Sequence, residues 1–181
     1  VNDLLCVGAE PLAFVDYIAV PTPSNEAHSR IGESLSEACK RANVTLAGGE
    51  TATLPGIVTE LDLSGTALGW LPSGKAIAGS DIRPDDVLIG FPSSGIHSNG
   101  FSLVRKVVSK SGMSLTEPCP FSPEHESRSV EFDHGDLGSV LLNPTRIYVD
   151  PIVDLLFSDM AICKRESIHG IAHITGGGLS N

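Results

Sequence analysis

The sequence predicts an α/β fold (α+β, sandwich-like), in which a mixed or antiparallel sheet is backed by helices and followed by the start of a second α/β domain. Two segments rich in strand-forming residues, 12–20 and 59–71, alternate with the two-residue period of a half-buried strand. Between them, residues 25–42 carry apolar side chains at three- and four-residue spacing, which is typical of an amphipathic helix. Clusters of glycine and proline separate these segments and indicate turns.

The first predicted elements are the end of a helix, at residues 2–7, and the strand 12–20. Gly8 would end the helix, because glycine readily adopts the left-handed conformation of a helix C-terminus. One face of the strand consists of Phe14, Asp16, Ile18 and Val20. Asp16 thus stands in an apolar row, and it either faces water on an edge strand or meets a buried partner or a metal, since an ionised carboxylate is costly to bury alone.

A helix and a second strand follow. Ser24 or Asn25 can cap a helix that runs to about Ala42. Its predicted apolar stripe consists of Ala27, Ile31, Leu35, Ala38 and Ala42. Residues 44–51 form the next strand, which leads through Gly48 and Gly49 to Glu50 and Thr51.

The sequence Gly48-Gly-Glu-Thr51 predicts a site at the end of this strand. Paired glycines let the backbone approach a ligand closely, and a carboxylate is a ligand that Mg²⁺ prefers, usually together with nucleotide phosphates. A glycine turn with a solvated glutamate is the alternative. Asp3 and Asp16 on neighbouring elements favour the site, because a cation relieves the repulsion between close carboxylates. We therefore expect Asp3, Asp16 and Glu50 to converge on a metal ion.

A serine- and glycine-rich loop, residues 92–100, lies between a short buried strand predicted at 87–91 and a helix predicted at 101–112. A strand, such a loop and a helix start can together hold an anion with backbone amides and the helix dipole. The same composition occurs in ordinary turns. His97 and Asn99 favour a substrate site, because both can form hydrogen bonds with a ligand and His97 can also carry a proton.

Two domains are predicted, 1–140 and 141–181, and the first ends in a proline-rich linker at about 113–140. A helix would begin at Asn143-Pro144 and bend at Pro151, and a final strand would cover 168–174. One helix and one strand are too few for a second core. We therefore expect this chain to be a piece of a longer protein.

Composition limits the classes of partner. The formal charge is −10, from 12 basic and 22 acidic residues, which argues against nucleic acid and anionic membrane surfaces. No segment approaches the ~20 apolar residues of a membrane span. The four cysteines never form a CxxC motif, which favours reduced thiols in a cytoplasmic protein over a zinc site or disulfides.

Several motifs, taken in order, resemble those of the aminoimidazole ribonucleotide synthetase (phosphoribosylformylglycinamidine cyclo-ligase) family. They are Val1-Asn-Asp-Leu with Gly8-Ala-Glu-Pro-Leu12 and Phe14-Val-Asp-Tyr17, Gly48-Gly-Glu-Thr51 with Leu54-Pro-Gly56, residues 93–105, Pro144-Thr-Arg-Ile-Tyr-Val149 and residues 172–178. The resemblance spans the whole chain. Within the superfamily, the histidine-containing loop and residues 144–149 favour the synthetase over formylglycinamide ribonucleotide amidotransferase and thiamine monophosphate kinase.

The resemblance implies the ATP-dependent cyclisation of formylglycinamidine ribonucleotide to aminoimidazole ribonucleotide in purine biosynthesis. It implies that Asp3, Asp16, Glu50 and Thr51 serve Mg²⁺ and ATP, and that His97 is catalytic. The implied substrate-binding residues are Ser93, Ser94, Gly95, His97, Asn99, Gly176, Gly177 and Gly178. It further implies a homodimer formed through the sheets of the N-terminal domains. The alternatives are an amidotransferase, a small-molecule kinase, or a dimerising scaffold without turnover.

Overall fold

The computed structural model describes residues 1–120 and 135–180 and divides the chain into two compact units. The first unit combines Val1–Pro84 with Ile147–His173, and the second combines Asp85–Arg146 with Ile174–Asn181. This division differs from the predicted domains, 1–140 and 141–181. Residues 121–134 of the predicted linker lie outside the described residues.

The α-helices of the described residues are α1 (Asn2–Cys6), α2 (Asn25–Arg41), α3 (Phe101–Ser111), α4 (Leu137–Leu141) and α5 (Val149–Phe157). The strands are β1 (Glu10–Val20), β2 (Thr45–Thr53) and β3 (Asp62–Trp70). Short 3₁₀ turns cover Arg165–Ser167 and Gly178–Ser180. Among the described residues, none of the helices has both the length and the apolar character needed to cross a bilayer.

The three strands form one mixed sheet in the first unit, in the order β2-β1-β3. β1 pairs with β2 in parallel and with β3 antiparallel. A parallel pair needs a long crossover connection, and α2 provides it between β1 and β2. The predicted α/β class, a mixed sheet backed by helices, is confirmed.

Helix α2 begins as the sequence predicts, because the Ser24 side chain accepts the N–H of Ala27 over 3.3 Å. Its less exposed face is turned slightly from the predicted one and includes His28, Ile31, Leu35 and Cys39. Ala27 and Ala38, which belong to the predicted apolar stripe, are exposed. The larger apolar side chains bury more area than alanines and so determine which face packs.

The main core of the first unit joins distant parts of the chain. Its buried members are Leu5, Ala42, Ile77, Val149, Ile152 and Leu156. Half of this cluster comes from α5, whose apolar face is buried together with Leu5 of α1. This burial explains why residues 147–173 belong to the first unit.

Helix α5 begins at Val149, after the N-cap residue Tyr148, and not at the predicted Asn143-Pro144. The predicted bend at Pro151 is therefore wrong. Pro151 is the third residue of the helix, where the missing N–H would have no partner within the helix in any case.

The strands predicted at 87–91 and 168–174 are absent from the structure. Val87, Leu88 and Ile89 are 84%, 97% and 79% exposed, although the sequence predicts them to be buried. A strand requires a neighbour that pairs with its N–H and C=O groups. Among the described residues, neither segment has such a neighbour.

The second unit contains α3 and α4. Helix α3 lies between Gly100 and Gly112, which adopt left-handed φ values of +78° and +71°, in agreement with the predicted helix. Helix α4 was not predicted. It begins where Oδ1 of Asp136 accepts the N–H of Ser139 over 2.7 Å, a local capping signal that sequence analysis could have found.

Candidate functional site

The first group of candidate residues lies on the sheet of the first unit. In the parallel pair β1–β2, Asp16 is opposite Gly49, and Tyr17 is opposite Glu50. Opposite residues share a face of the sheet, and successive residues alternate between faces. The side chains of Asp16 and Glu50 therefore leave the sheet on opposite faces. They cannot both reach one Mg²⁺ ion, whose bonds to oxygen are about 2.0–2.1 Å long.

An irregularity in β2 decides this arrangement. Leu46 is opposite Phe14 and Gly48 is opposite Val15, so that Ala47 is an extra residue in β2. Without it, regular pairing would place Glu50 opposite Ile18, on the face that carries Asp16. One extra residue moves every later side chain of β2 to the opposite face of the sheet. Gly48, which has φ of +147°, follows the irregularity.

Asp16 is half-buried on the face directed toward α2. Burial raises the pKa of the Cys39 thiol, and the negative charge of Asp16 raises it further. A Cβ atom at Gly49 would collide with the Asp16 carboxylate. Gly49 thus makes room for Asp16 within the sheet. Thr51 is opposite Ile18 and shares the Asp16 face, whereas Glu50 is exposed on the other face.

Asp3 lies in the first turn of α1, where its Oδ1 is 2.8 Å from Nδ1 of His173. Among residues 1–120 and 135–180, no group of three or more histidine, cysteine, aspartate or glutamate side chains is placed to hold a metal ion. The structure therefore does not bring Asp3, Asp16 and Glu50 into one such group, and their role as metal ligands stays a prediction. Sequence analysis did not identify His173 as the partner of Asp3, because the two residues are 170 positions apart.

The second group of candidate residues lies in the second unit, in the loop that precedes α3. Ser94 has three hydrogen bonds there. Its N–H donates to Nε2 of His97 over 3.1 Å, and its Oγ donates to the carbonyl oxygen of Pro144 over 2.7 Å. Its carbonyl oxygen accepts from Nδ2 of Asn143 over 2.6 Å. The N–H and O–H donors of Ser94 are thus used within the protein.

The segment Asn143–Arg146 lies along this loop and was not predicted to be part of the site. The N–H of Arg146 also donates to Nε2 of His97, over 3.4 Å, and its Nη1 donates to the carbonyl oxygen of Pro92 over 3.0 Å. The hydroxyl oxygens of Ser98 and Thr145 are 3.0 Å apart. The polar run 143–146 was visible in the sequence, but its place beside the loop was not.

The glycine loop after residue 174 meets the same region of the second unit. A Cβ atom at Gly176 would lie 3.6 Å from Oδ1 of Asn99. The two segments that the resemblance assigns to the substrate are therefore neighbours. Ser93, Gly95, Asn99 and the glycines 176–178 are exposed, and Gly178 has a left-handed φ of +68°.

Two family models match the chain. The model described as AIR synthase related protein, N-terminal domain, matches residues 1–71. The model described as AIR synthase related protein, C-terminal domain, matches residues 83–181. The second match begins at residue 83, next to Pro84, where the first unit of the structure gives way to the second.

Curated relatives include two archaeal enzymes named phosphoribosylformylglycinamidine cyclo-ligase. The one from Methanothermobacter thermautotrophicus is 46% identical over 181 residues, which are 100% of this chain and 49% of the relative. The one from Methanosarcina mazei is 44% identical over 179 residues, which are 99% of this chain and 48% of the relative. The chain thus spans about half the length of these relatives.

Among solved structures, the thiamine-monophosphate kinase from Stenotrophomonas maltophilia K279a is similar with a TM-score of 0.49. Its identity is 21%, and the match covers 85% of this chain and 42% of that chain.

Proposed function

The chain belongs to the AIR synthase related protein family, and we propose that the protein carrying it cyclises formylglycinamidine ribonucleotide to aminoimidazole ribonucleotide at the expense of ATP. The observation that carries the proposal is similarity along the whole chain to relatives named cyclo-ligase. Because the chain spans about half of their length, the activity is proposed for a polypeptide of the relatives' full length.

The loops of the second unit are suited to bind and orient the substrate. We assign contacts with it to Ser93, Gly95, Asn99 and the glycines 176–178, because Asn99 and Gly176 are neighbours and all of these residues are exposed. The N-terminus of α3 has no side-chain cap, and a helix N-terminus of this kind favours an anionic group nearby. Ser94 and His97 belong to the loop and shape it through the hydrogen bonds described above.

The reaction needs a leaving group on the formyl carbon. ATP, when bound, would supply the phosphoryl group that makes the formyl oxygen a good leaving group, with ADP as the first product. The amidine nitrogen would then form the C–N bond while the C–O bond breaks, so that phosphate leaves and the nitrogen loses a proton. The closure joins two groups of the same substrate molecule, and the contribution of the chain is to hold the formyl carbon and the amidine nitrogen in the orientation from which they react.

We assign nucleotide binding to Asp3, Asp16, Glu50 and Thr51, with Mg²⁺ as the ion that accompanies the nucleotide. Magnesium on a nucleotide commonly keeps several water ligands and needs only one or two carboxylates. The opposite directions of Asp16 and Glu50 mean that at most one of these two serves a given ion. The ion that accompanies the nucleotide is therefore bound either on the face that carries Asp16 and Thr51 or on the face that carries Glu50.

We also propose a homodimer in the cytoplasm. Val15, Tyr17 and Leu68 occupy one face of the sheet and are 42%, 37% and 65% exposed, which supports an interface there. All four cysteines are free thiols, as expected in a reducing compartment. The net charge of −10 makes nucleic acid and anionic membrane unsuitable partners.

The decisive experiment gives the full-length protein ATP with each of three substrates and measures both ADP formation and phosphate release above the rates without substrate. Release with formylglycinamidine ribonucleotide alone supports the proposal. Release only with formylglycinamide ribonucleotide and ammonia would indicate an amidotransferase. ADP formation only with thiamine monophosphate would indicate a kinase, and no reaction with any of them would leave a scaffold function.

A further inference from the structure

The imidazole of His97 accepts two backbone hydrogen bonds on one nitrogen. The N–H groups of Ser94 and Arg146 both point at Nε2, at 3.1 Å and 3.4 Å. A backbone N–H can only donate, so Nε2 must present its lone pair. In the neutral ring, the proton is therefore on Nδ1.

These hydrogen bonds connect two segments that are far apart in the sequence. Arg146 is 49 positions from His97, and Asn143 is 49 positions from Ser94. Asn143 is only 6% exposed, and its orientation is determined by its partner, because the carbonyl oxygen of Ser94 can accept only from the amide nitrogen. His97 and Asn143 thus fix Ser94 from two sides.

This arrangement determines which groups of the loop remain for a ligand. The N–H of Ser94 is directed to His97 and its O–H to Pro144, so neither donor serves a substrate. Among the described residues, the N–H groups of Ser93 and Gly95 have no hydrogen-bond acceptor. The residues on either side of Ser94 therefore carry the donors that an oxyanion of the substrate can use.

We propose that His97 is a positioning residue, which holds Ser94 and Arg146 so that the N–H groups of Ser93 and Gly95 face the substrate phosphate. The identity of the ligand rests on the proposed function. The position of the proton on the His97 ring rests on the hydrogen bonds alone. A proton could bind to Nε2 only after both amide bonds were lost. The geometry is thus that of a structural acceptor and not of a proton carrier.

Two substitutions separate positioning from proton transfer. His97→Gln can place an amide oxygen near the position of Nε2, whereas the shorter side chain of His97→Asn reaches only as far as Nδ1. Neither amide side chain can take up or release a proton at neutral pH, so neither can replace His97 in proton transfer. Ser98→Ala is the matched control, because it removes an exposed hydrogen bond to Thr145 between the same two segments without touching His97.

We expect His97→Asn to raise KM for formylglycinamidine ribonucleotide roughly tenfold to a hundredfold in the full-length enzyme. It leaves two amides without an acceptor, and two unsatisfied donors are costly enough to account for a loss of that size. We expect His97→Gln and Ser98→Ala to stay within about threefold of the wild-type KM, and kcat to change little in all three. Equal large losses of kcat in the Gln and Asn variants, with KM unchanged, would overturn the proposal.

A second measurement does not depend on turnover. In the full-length protein labelled with ¹⁵N-histidine, the spectrum of His97 should show an unprotonated Nε2 and a protonated Nδ1. A protonated Nε2 in the folded chain at neutral pH would overturn the proposal, even if a variant failed to fold. If the spectrum is as expected but the wild-type enzyme turns over no formylglycinamidine ribonucleotide, the positioning of the loop is supported and the proposed function fails.

Discussion

The carboxylate of Asp3 lies 2.8 Å from Nδ1 of His173, and this contact ties the first turn of α1 to the last residue of the first unit. The Asp3 side chain is 88% exposed, whereas that of His173 is 21% exposed. An interaction in which one partner is almost fully hydrated gains little energy beyond what water already provides.

A double-mutant cycle with Asp3→Asn and His173→Gln should therefore give a coupling energy below about 1 kcal/mol, measured by urea denaturation. The main effect of the Asp3–His173 contact is to orient the two side chains. A coupling above about 2 kcal/mol would show that the pair is shielded from water and would contradict the exposure of Asp3 in the structure.

Magnesium–nucleotide binding should depend on one face of the sheet only. We expect either Asp16→Asn or Glu50→Gln, but not both, to weaken binding of Mg²⁺·ATP about tenfold or more, because a charge-assisted ligand is lost. Isothermal titration calorimetry on the full-length protein measures this effect. Glu37→Gln, on the exposed face of α2, is the matched control for loss of one charge.

Equal losses from Asp16→Asn and Glu50→Gln would contradict the opposite directions of the two side chains. If neither variant changes binding, the nucleotide ion is held by other residues and the assignment to the sheet is wrong.

The thiol of Cys39 should become easier to alkylate when Asp16 is neutralised. Burial and, second to it, the negative charge of Asp16 raise the pKa of Cys39, which disfavours the reactive thiolate. Asp16→Asn removes the second cause, so the pH curve for iodoacetamide modification should move to lower pH. Modification of Cys119, in the second unit, serves as an internal control. An unchanged curve would mean that Asp16 does not influence Cys39.

Two glycine substitutions should have opposite effects on stability. A Cβ atom at Gly65 would collide with the ring of Phe14 on β1, so Gly65→Ala should lower the free energy of unfolding by about 1–3 kcal/mol. Gly32 lies within α2 and has no atom within 4 Å of the added Cβ. Gly32→Ala should therefore raise stability by about 0.5–1 kcal/mol. Chemical denaturation measures both, and loss of stability in Gly32→Ala would contradict the open surface of α2.

The local elements were predictable because their signals are local. The Ser24 cap of α2, the alternation along β1 and the left-handed Gly112 after α3 each act within a few residues. The strand predicted at 87–91 failed for the opposite reason: its apolar composition is local, but pairing depends on another segment. The start of α5 at Val149 likewise follows from its packing in the core with Leu5.

The sequence by itself determined the α/β class, the main elements of the sheet unit and the motifs that mark the family, since periodicity, caps and motifs are written in neighbouring residues. Tertiary structure alone decided what the functional side chains face. The extra residue Ala47 in β2 sends Glu50 to the face opposite Asp16, because register between strands depends on pairing and not on either strand alone. In the same way, Nε2 of His97 accepts a hydrogen bond from Arg146, which is 49 residues away in the sequence. Only folding brings the two residues within hydrogen-bond distance.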